Sequence, residues 1–265
     1  MSAPLVIAIP SKGRLQADSN ARLAAAGLEV VPSGAGRSYR ARIRGIAGVE
    51  VAFLSAPEIA REIGAGLVHL GITGRDQVEE TVPGFAARTA LLLPLGFGRC
   101  DVVVAVPEAW IDVVAMEDLD DVAGEFRARH GRRLTVATKY VNLTRRWFAG
   151  HGIADYRIVE SLGATEGAPA TGAADLIVDI TTTGATLRDN GLKILADGVI
   201  LKSEASLVAS RTARWTDRQR KTLSEFLGRL DPKAARRAER LLGAAEPPLA
   251  RPPAVARGAT ARSQP

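Results

Sequence analysis

The chain has 265 residues, 46% of them hydrophobic, enough to bury a substantial core in one large domain or two lobes. One cysteine, Cys100, and three scattered histidines exclude an internal disulfide and offer no set of metal ligands, so a metal is expected to arrive with a substrate. The net charge of +6 is uneven: residues 211–265 hold 13 of the 35 Lys/Arg and 5 of the 29 Asp/Glu, leaving 22 basic and 24 acidic residues in the body and little support for nucleic-acid binding.

Met1-Ser2-Ala3-Pro4 leads directly into the strand-like Leu5-Val6-Ile7-Ala8-Ile9, and no long apolar run follows, so the expectation is a cytoplasmic protein with no membrane segment. Up to about residue 210, short apolar runs alternate with helical patterns, the signature of an α/β architecture with mostly parallel strands. Strands are expected at Leu5–Ile9, Val49–Leu54, Leu67–Ile72, Leu91–Leu95, Val102–Val106, Leu134–Ala137, Ile158–Val159 and Leu176–Ile180. Helices are expected at Gln16–Ala26, Ala56–Ile63, Leu143–His151 and Thr165–Thr171, closed by Gly27, Gly64, Gly152 and Gly172. Leu95-Gly96-Phe97-Gly98-Arg99, between two strands, reads either as a crossing between lobes or as a plain surface turn.

After residue 210, Leu223, Phe226, Leu227 and Leu230 fall at i, i+3, i+4 and i+7, one apolar face of a helix that packs on its own lobe or on a partner. A short Ala/Arg-rich helix follows Asp231-Pro232, and residues 246–265, rich in Pro, Ala and Arg, are expected to be disordered.

The most informative stretch is DITTTGATLRDNG, residues 179–191, which ends an apolar strand on a carboxylate and follows it with three threonines and a glycine. Strand, Thr/Gly turn and helix together can cradle a phosphate on backbone amides and hydroxyls, with Gly184 permitting close approach. Asp179 would stand beside that anion; like charge rules it out as a phosphate ligand and suits it to sugar hydroxyls or to water on a bound cation. Phosphate beside a diol describes a phosphorylated ribose. The plainer alternative is that Thr181, Thr182 and Thr183 cap a helix.

Asp179, Thr183, Gly184, Thr186 and Leu187 resemble the phosphoribosyl-pyrophosphate loop of the ATP phosphoribosyltransferases, Asp-hydrophobic-x-Ser/Thr-Thr-Gly-x-Thr-Leu. Further matches run in order: Lys12-Gly13-Arg14-Leu15, Leu70-Gly71-Ile72-Thr73-Gly74, Phe97-Gly98-Arg99-Cys100, Ala137-Thr138-Lys139-Tyr140, Asn142-Leu143-Thr144-Arg145-Arg146, and Glu166 with Ala168-Pro169. The resemblance spans roughly residues 5–205, with departures at His69, where the family usually has aspartate, and at Asp101, where it commonly has a basic residue. His69 reads as structural rather than catalytic. The loop is also similar to that of the Rossmann-like phosphoribosyltransferases, which generally carry two adjacent acids where this chain has Asp179-Ile180.

The resemblance implies a two-lobed, type II periplasmic-binding-protein-like core: lobe I from 1–92 with 185–210, lobe II from 95–182, then a helical extension over 211–245. It implies transfer of the phosphoribosyl group of 5-phosphoribosyl 1-pyrophosphate to N1 of ATP, the first step of histidine biosynthesis, with Mg2+ carried by the substrate and bridged through water to Asp179. Implied catalytic residues are Asp179, Arg14 and Lys12. Phosphoribosyl-pyrophosphate falls to Asp179, Thr181, Thr182, Thr183, Gly184, Ala185, Thr186 and Glu166, and ATP to Lys12, Gly13, Arg14, Gly71, Thr73, Gly74, Arg99 and Tyr140. With no room after residue 210 for a histidine-binding domain, the chain resembles the short form. That form implies a homodimer assembling with a histidyl-tRNA-synthetase-like regulatory subunit, without nucleic acid or membrane. The alternatives are a two-lobed solute-binding protein and a phosphoribosyltransferase acting on a free base.

Overall fold

A computed structural model describes residues 3–33, 40–161 and 163–243. In chain order the elements are β1 (Leu5–Pro10), α1 (Gly13–Ala24), β2 (Val30–Pro32), β3 (Arg40–Ile43), β4 (Val49–Leu54), α2 (Ala56–Ala65), β5 (Leu70–Gly74), α3 (Arg75–Thr81), α4 (Phe85–Arg88) and β6 (Thr89–Pro94). There follow β7 (Cys100–Pro107), α5 (Met116–His130), β8 (Leu134–Thr138), α6 (Val141–Gly150), β9 (Tyr156–Glu160), a 3-10 turn (Thr165–Gly167), β10 (Leu176–Thr181), α7 (Ala185–Asp189), β11 (Leu192–Ser203), β12 (Ala205–Ser210), α8 (Asp217–Leu230) and α9 (Pro232–Gly243).

The strands form two mixed sheets, ordered β2-β3-β4-β1-β5-β12-β6 and β11-β7-β10-β8-β9, and these define the two lobes of an α/β fold. In the first, β1 runs parallel to β4 and β5, while β12 returns antiparallel between β5 and β6. In the second, β8, β9 and β10 are parallel and β7 is antiparallel to both β10 and β11. β1 (LVIAIP) is buried at every position but Val6 and β8 (LTVAT) at every position, so neither shows the in/out alternation of a half-exposed strand.

Leu95–Arg99 carries the chain from β6 to β7, with Gly96 and Gly98 at φ of 82° and 64°, and so makes the crossing between lobes. The second crossing is Glu204, between β11 and β12. The two crossings are bonded to each other: Leu95 N donates to Ala205 O at 2.9 Å and Ala205 N to Phe97 O at 3.0 Å.

Three expectations need correction. The chain returns to the first sheet at Ala205 rather than at 185, because α7 and the long β11 stay with the second sheet, β11 pairing with β7. The helix expected over Thr165–Thr171 shrinks to one 3-10 turn, since Pro169 lacks an N–H and Ala164 already sits at φ 46°. Helix α2 ends on Gly66 (φ 77°) instead of Gly64; at Gly64 a Cβ would lie 2.6 Å from Val82, so that glycine serves helix packing.

The apolar face of α8 is spent within the chain. Leu223, Phe226, Leu227 and Leu230, with Ala234, Ala238 and Leu242 of α9, join the core beneath the first sheet. The helical extension is therefore part of the first lobe's framework, and residues 246–265 lie outside the described residues.

Candidate functional site

The carboxyl end of β10 places Asp179 opposite Val103 of β7, nine-tenths buried. Its Oδ1 lies 3.3 Å from Lys139 Nζ yet accepts no hydrogen bond. A buried carboxylate oxygen left this way is expensive and is ready to receive a hydroxyl donor.

The chain then turns through Gly184, at φ 73°, into α7. Thr181 Oγ1 accepts from Gly184 N at 2.8 Å, and Thr183 Oγ1 accepts from Ala185 N at 3.3 Å. Arg188 Nη1 donates back to Thr183 O at 3.2 Å. Two of the three threonines thus build the turn, although the N-cap of α7 is Gly184 itself, while Thr182 and Thr186 remain exposed.

Asp179, Thr181, Thr182, Thr183 and Thr186 line one cleft of about 330 Å3, together with Glu166, Cys100, Ile180 and Leu187. Gly184 and Leu187 also border a second hollow of about 230 Å3 with Glu108, Arg188 and Lys193. Cys100 stays a thiol in the first cleft: burial, then the charges of Asp76 and Asp101, push its pKa up to about 11. It is no nucleophile.

The first-lobe candidates divide. Lys12 stands at the N-cap of α1 and is exposed, Gly13 turns at φ 73°, and the Arg14 side chain is 93% exposed, 3.5 Å from Asp18. Arg99, on the crossing, is likewise exposed and 3.5 Å from Glu204. Leu15 of α1 touches the same crossing, since a Cβ at Gly98 would sit 3.2 Å from its Cδ1, and Cys100 at the end of that crossing lines the cleft. The basic turn is therefore tied to the strip of chain that leads into the cleft.

Gly71, Thr73, Gly74 and Tyr140 have other work. A Cβ at Gly71 would lie 2.4 Å from Ile59, so this glycine lets α2 press onto β5. Thr73 is fully buried, its hydroxyl donating to Ala56 O at 2.9 Å. At Gly74 a Cβ would meet Asp76 Oδ1 at 2.2 Å. Tyr140 is 1% exposed, and its hydroxyl donates to Asp76 at 3.1 Å. None of these side chains presents a surface to a nucleotide.

His69 is structural: Nδ1 accepts from Val6 N at 3.1 Å, Nε2 pairs with Arg214 O at 3.2 Å, and the ring stands edge-on to Trp215 at 5.0 Å. Burial lowers its pKa, so the neutral ring is favoured. Sequence reasoning gave no role to Lys139, although its motif was recognised, nor to Asp76, one of three acids in a short charged helix.

The sequence model of the ATP phosphoribosyltransferase family matches residues 55–232. An ATP phosphoribosyltransferase from Rhodopseudomonas palustris is 59% identical over 88% of this chain and 72% of its own length. One from Bradyrhizobium diazoefficiens is 58% identical over the same shares. Among solved structures, a chain of the ATP phosphoribosyl transferase (HisG:HisZ) complex from Thermotoga maritima superposes with a TM-score of 0.63 at 23% identity, covering 88% of this chain and 99% of that one, a likeness of fold.

Proposed function

This chain belongs to the ATP phosphoribosyltransferase family, pentosyltransferases that join N1 of ATP to C1 of a phosphoribosyl group at the start of histidine biosynthesis, and we propose that the reaction runs at the cleft below β10. Family membership sets aside the solute-binding and free-base alternatives.

One observation carries the site assignment: a buried, hydrogen-bond-poor carboxylate, Asp179, stands beside a preformed Thr/Gly turn in one cleft. The ribose 5-phosphate sits on the exposed hydroxyls of Thr182 and Thr186 and on those amides of the 182–186 turn that the threonine hydroxyls leave free, while Gly184 N and Ala185 N, held by Thr181 and Thr183, fix the shape of the backbone. Helix α7 has only five residues, so amides and hydroxyls rather than a macrodipole do most of the binding. Asp179 receives the ribose hydroxyls, and Glu166, which lines the same cleft, is the second carboxylate available there.

The attacking atom belongs to ATP, so the protein supplies no nucleophile. Bond breaking ahead of bond making leaves positive charge on the ribose and negative charge on pyrophosphate. Asp179 lies where it can stabilise the first; Lys12 and Arg14, with Arg99 on the crossing, neutralise the second and the ATP phosphates. Among the described residues no group of three or more His, Cys, Asp or Glu could hold a metal ion. Asp179 and Glu166 instead fit the water shell of a Mg2+ ion that enters on pyrophosphate, where it screens one polyanion from the other.

The working unit is proposed to be a cytoplasmic homodimer assembled with a histidyl-tRNA-synthetase-like regulatory subunit. The Thermotoga maritima neighbour is a HisG:HisZ complex, and among the described residues no helix is long and apolar enough to cross a membrane. Pyrophosphate release tests the whole reading. It should require ATP, ignore free bases, and fall on the order of a thousandfold in Asp179→Ala with the fold intact. Activity of that variant near the unaltered rate would remove Asp179 from the mechanism.

A further inference from the structure

We infer that Asp76 and Tyr140 form a positioning pair that fixes the second lobe, and with it Asp179, against the first lobe for the transfer step. This rests on the assignment of the β10–α7 cleft to phosphoribosyl-pyrophosphate.

Asp76 opens α3 and is only 5% exposed, so its carboxylate must be satisfied by neighbours. Ser203 Oγ donates to Oδ1 at 2.7 Å, while Tyr140 Oη at 3.1 Å and Gln77 Nε2 at 2.6 Å donate to Oδ2. Asp76 N in turn donates to Ser203 Oγ at 3.1 Å. Helix α3 belongs to the first lobe, whereas Tyr140 and Ser203 belong to the second, so a buried carboxylate sits on the seam between them. Both crossings flank it. Ser203 ends β11 one residue before Glu204, and Cys100, just past the other crossing, feels the charge of Asp76. The missing Cβ at Gly74 is what lets this carboxylate fold back so closely.

The seam continues into the cleft. Lys139 Nζ lies over the Tyr140 ring, 5.4 Å from its centre, and 3.3 Å from Asp179 Oδ1. Asp76, Tyr140, Lys139 and Asp179 therefore form an unbroken run from the inter-lobe boundary to the ribose carboxylate. Burial and the nearby carboxylate push the Tyr140 pKa far above its ordinary value, so its hydroxyl remains a donor.

The rest of the seam is held separately. Glu80 accepts from Asn142 N and Leu143 N, each at 2.9 Å; Asn142 Nδ2 donates to Glu80 O at 2.9 Å and Arg146 Nη2 to Glu79 O at 2.8 Å. Removing one phenol hydroxyl thus leaves the lobes docked and loosens only the part of the boundary next to the cleft. The ribose-phosphate cleft lies on the second lobe and the Lys12–Arg14 turn on the first. Misalignment of the lobes therefore spares phosphoribosyl-pyrophosphate binding but penalises the step that needs both.

Tyr140→Phe and Asp76→Asn separate these effects when turnover is measured beside equilibrium binding of Mg2+ phosphoribosyl-pyrophosphate. Each is expected to lower kcat on the order of tenfold or more, as sub-ångström misplacement does. The dissociation constant should stay within about twofold, and the double variant should be no worse than the worse single one. Turnover of Tyr140→Phe at the unaltered rate, or a loss expressed entirely as weaker binding, overturns the inference. Should Tyr140→Phe fail to fold, Ser203→Ala removes the second lobe's other donor to Asp76 and is read the same way. Failure of the unaltered protein to bind phosphoribosyl-pyrophosphate, or equal binding by Asp179→Ala, sinks the cleft assignment itself and the positioning pair with it.

Discussion

The β1–α1 turn and the β10–α7 turn are built alike, each a strand, a glycine at φ 73° and a helix, yet they present opposite chemistry. In the second, side-chain hydroxyls are wired to the turn's own amides beside a buried carboxylate, so the backbone is fixed before a ligand arrives. In the first, Lys12 makes no capping bond and Arg14 extends into solvent. A preformed cradle binds without much ordering cost, whereas exposed cations must be ordered by the ligand they neutralise. On the proposed assignment, the comparison teaches that a phosphoribosyl group would be recognised by main-chain shape and ATP polyphosphate by long, movable charge.

The contrast can be broken from either side. The largest effect is expected for Gly184→Val. A β-branched residue is strained at φ 73°, so the turn must rebuild, and its Cβ, 2.9 Å from Arg188 Nη1, would also push that flexible side chain aside. Pyrophosphate release should become barely detectable while the circular dichroism spectrum is unchanged. Arg14→Ala comes next: a side chain this exposed changes stability by less than about 0.5 kcal/mol. The apparent constant for ATP should nevertheless rise on the order of tenfold, the cost of a lost charge-assisted phosphate contact. An unchanged constant would take Arg14 out of the ATP site.

Thr181→Val keeps the shape of the turn but orphans Gly184 N, and should cost about 1 kcal/mol in denaturant unfolding, the usual value of a lost cap. The smallest effect concerns the framework outside both turns. The folded-state pKa of His69 is lowered, so the folded chain binds fewer protons there than the unfolded one near and below the ordinary imidazole value of about 6.5. Its contribution to stability is whole above that value and declines as pH falls through it. His69→Gln should flatten the fall in melting temperature between about pH 7 and 5. A decline as steep as that of the unaltered chain would assign the effect to other groups.

Much of this architecture was legible because buried parallel strands and the Thr/Gly loop announce themselves locally. Strand β11 did not: Ala196-Asp197-Gly198 interrupts its pattern with a bulge, and Asp197 is used to accept from Met116 N at 2.8 Å, anchoring α5. Helix α5 itself buries only Met116, Leu119 and Ala123, too narrow an apolar stripe to stand out, and α3 buries Asp76 and Glu79 where apolar residues would be looked for. In the cleft, Asp179 and the threonines were picked out by the loop together with the ordered matches elsewhere in the chain. Tyr140 meets Asp76 64 residues away, and Lys139 meets Asp179 on another strand, contacts that no local pattern encodes.

The claim on which the rest depends is that the turn after β10 holds the sugar's phosphate monoester. Electron density for phosphoribosyl-pyrophosphate bound to this chain tests it most directly. The account predicts the 5-phosphate on the amides of residues 182–186 and the ribose hydroxyls on Asp179. A 5-phosphate anchored elsewhere, with the turn open to solvent, would contradict it.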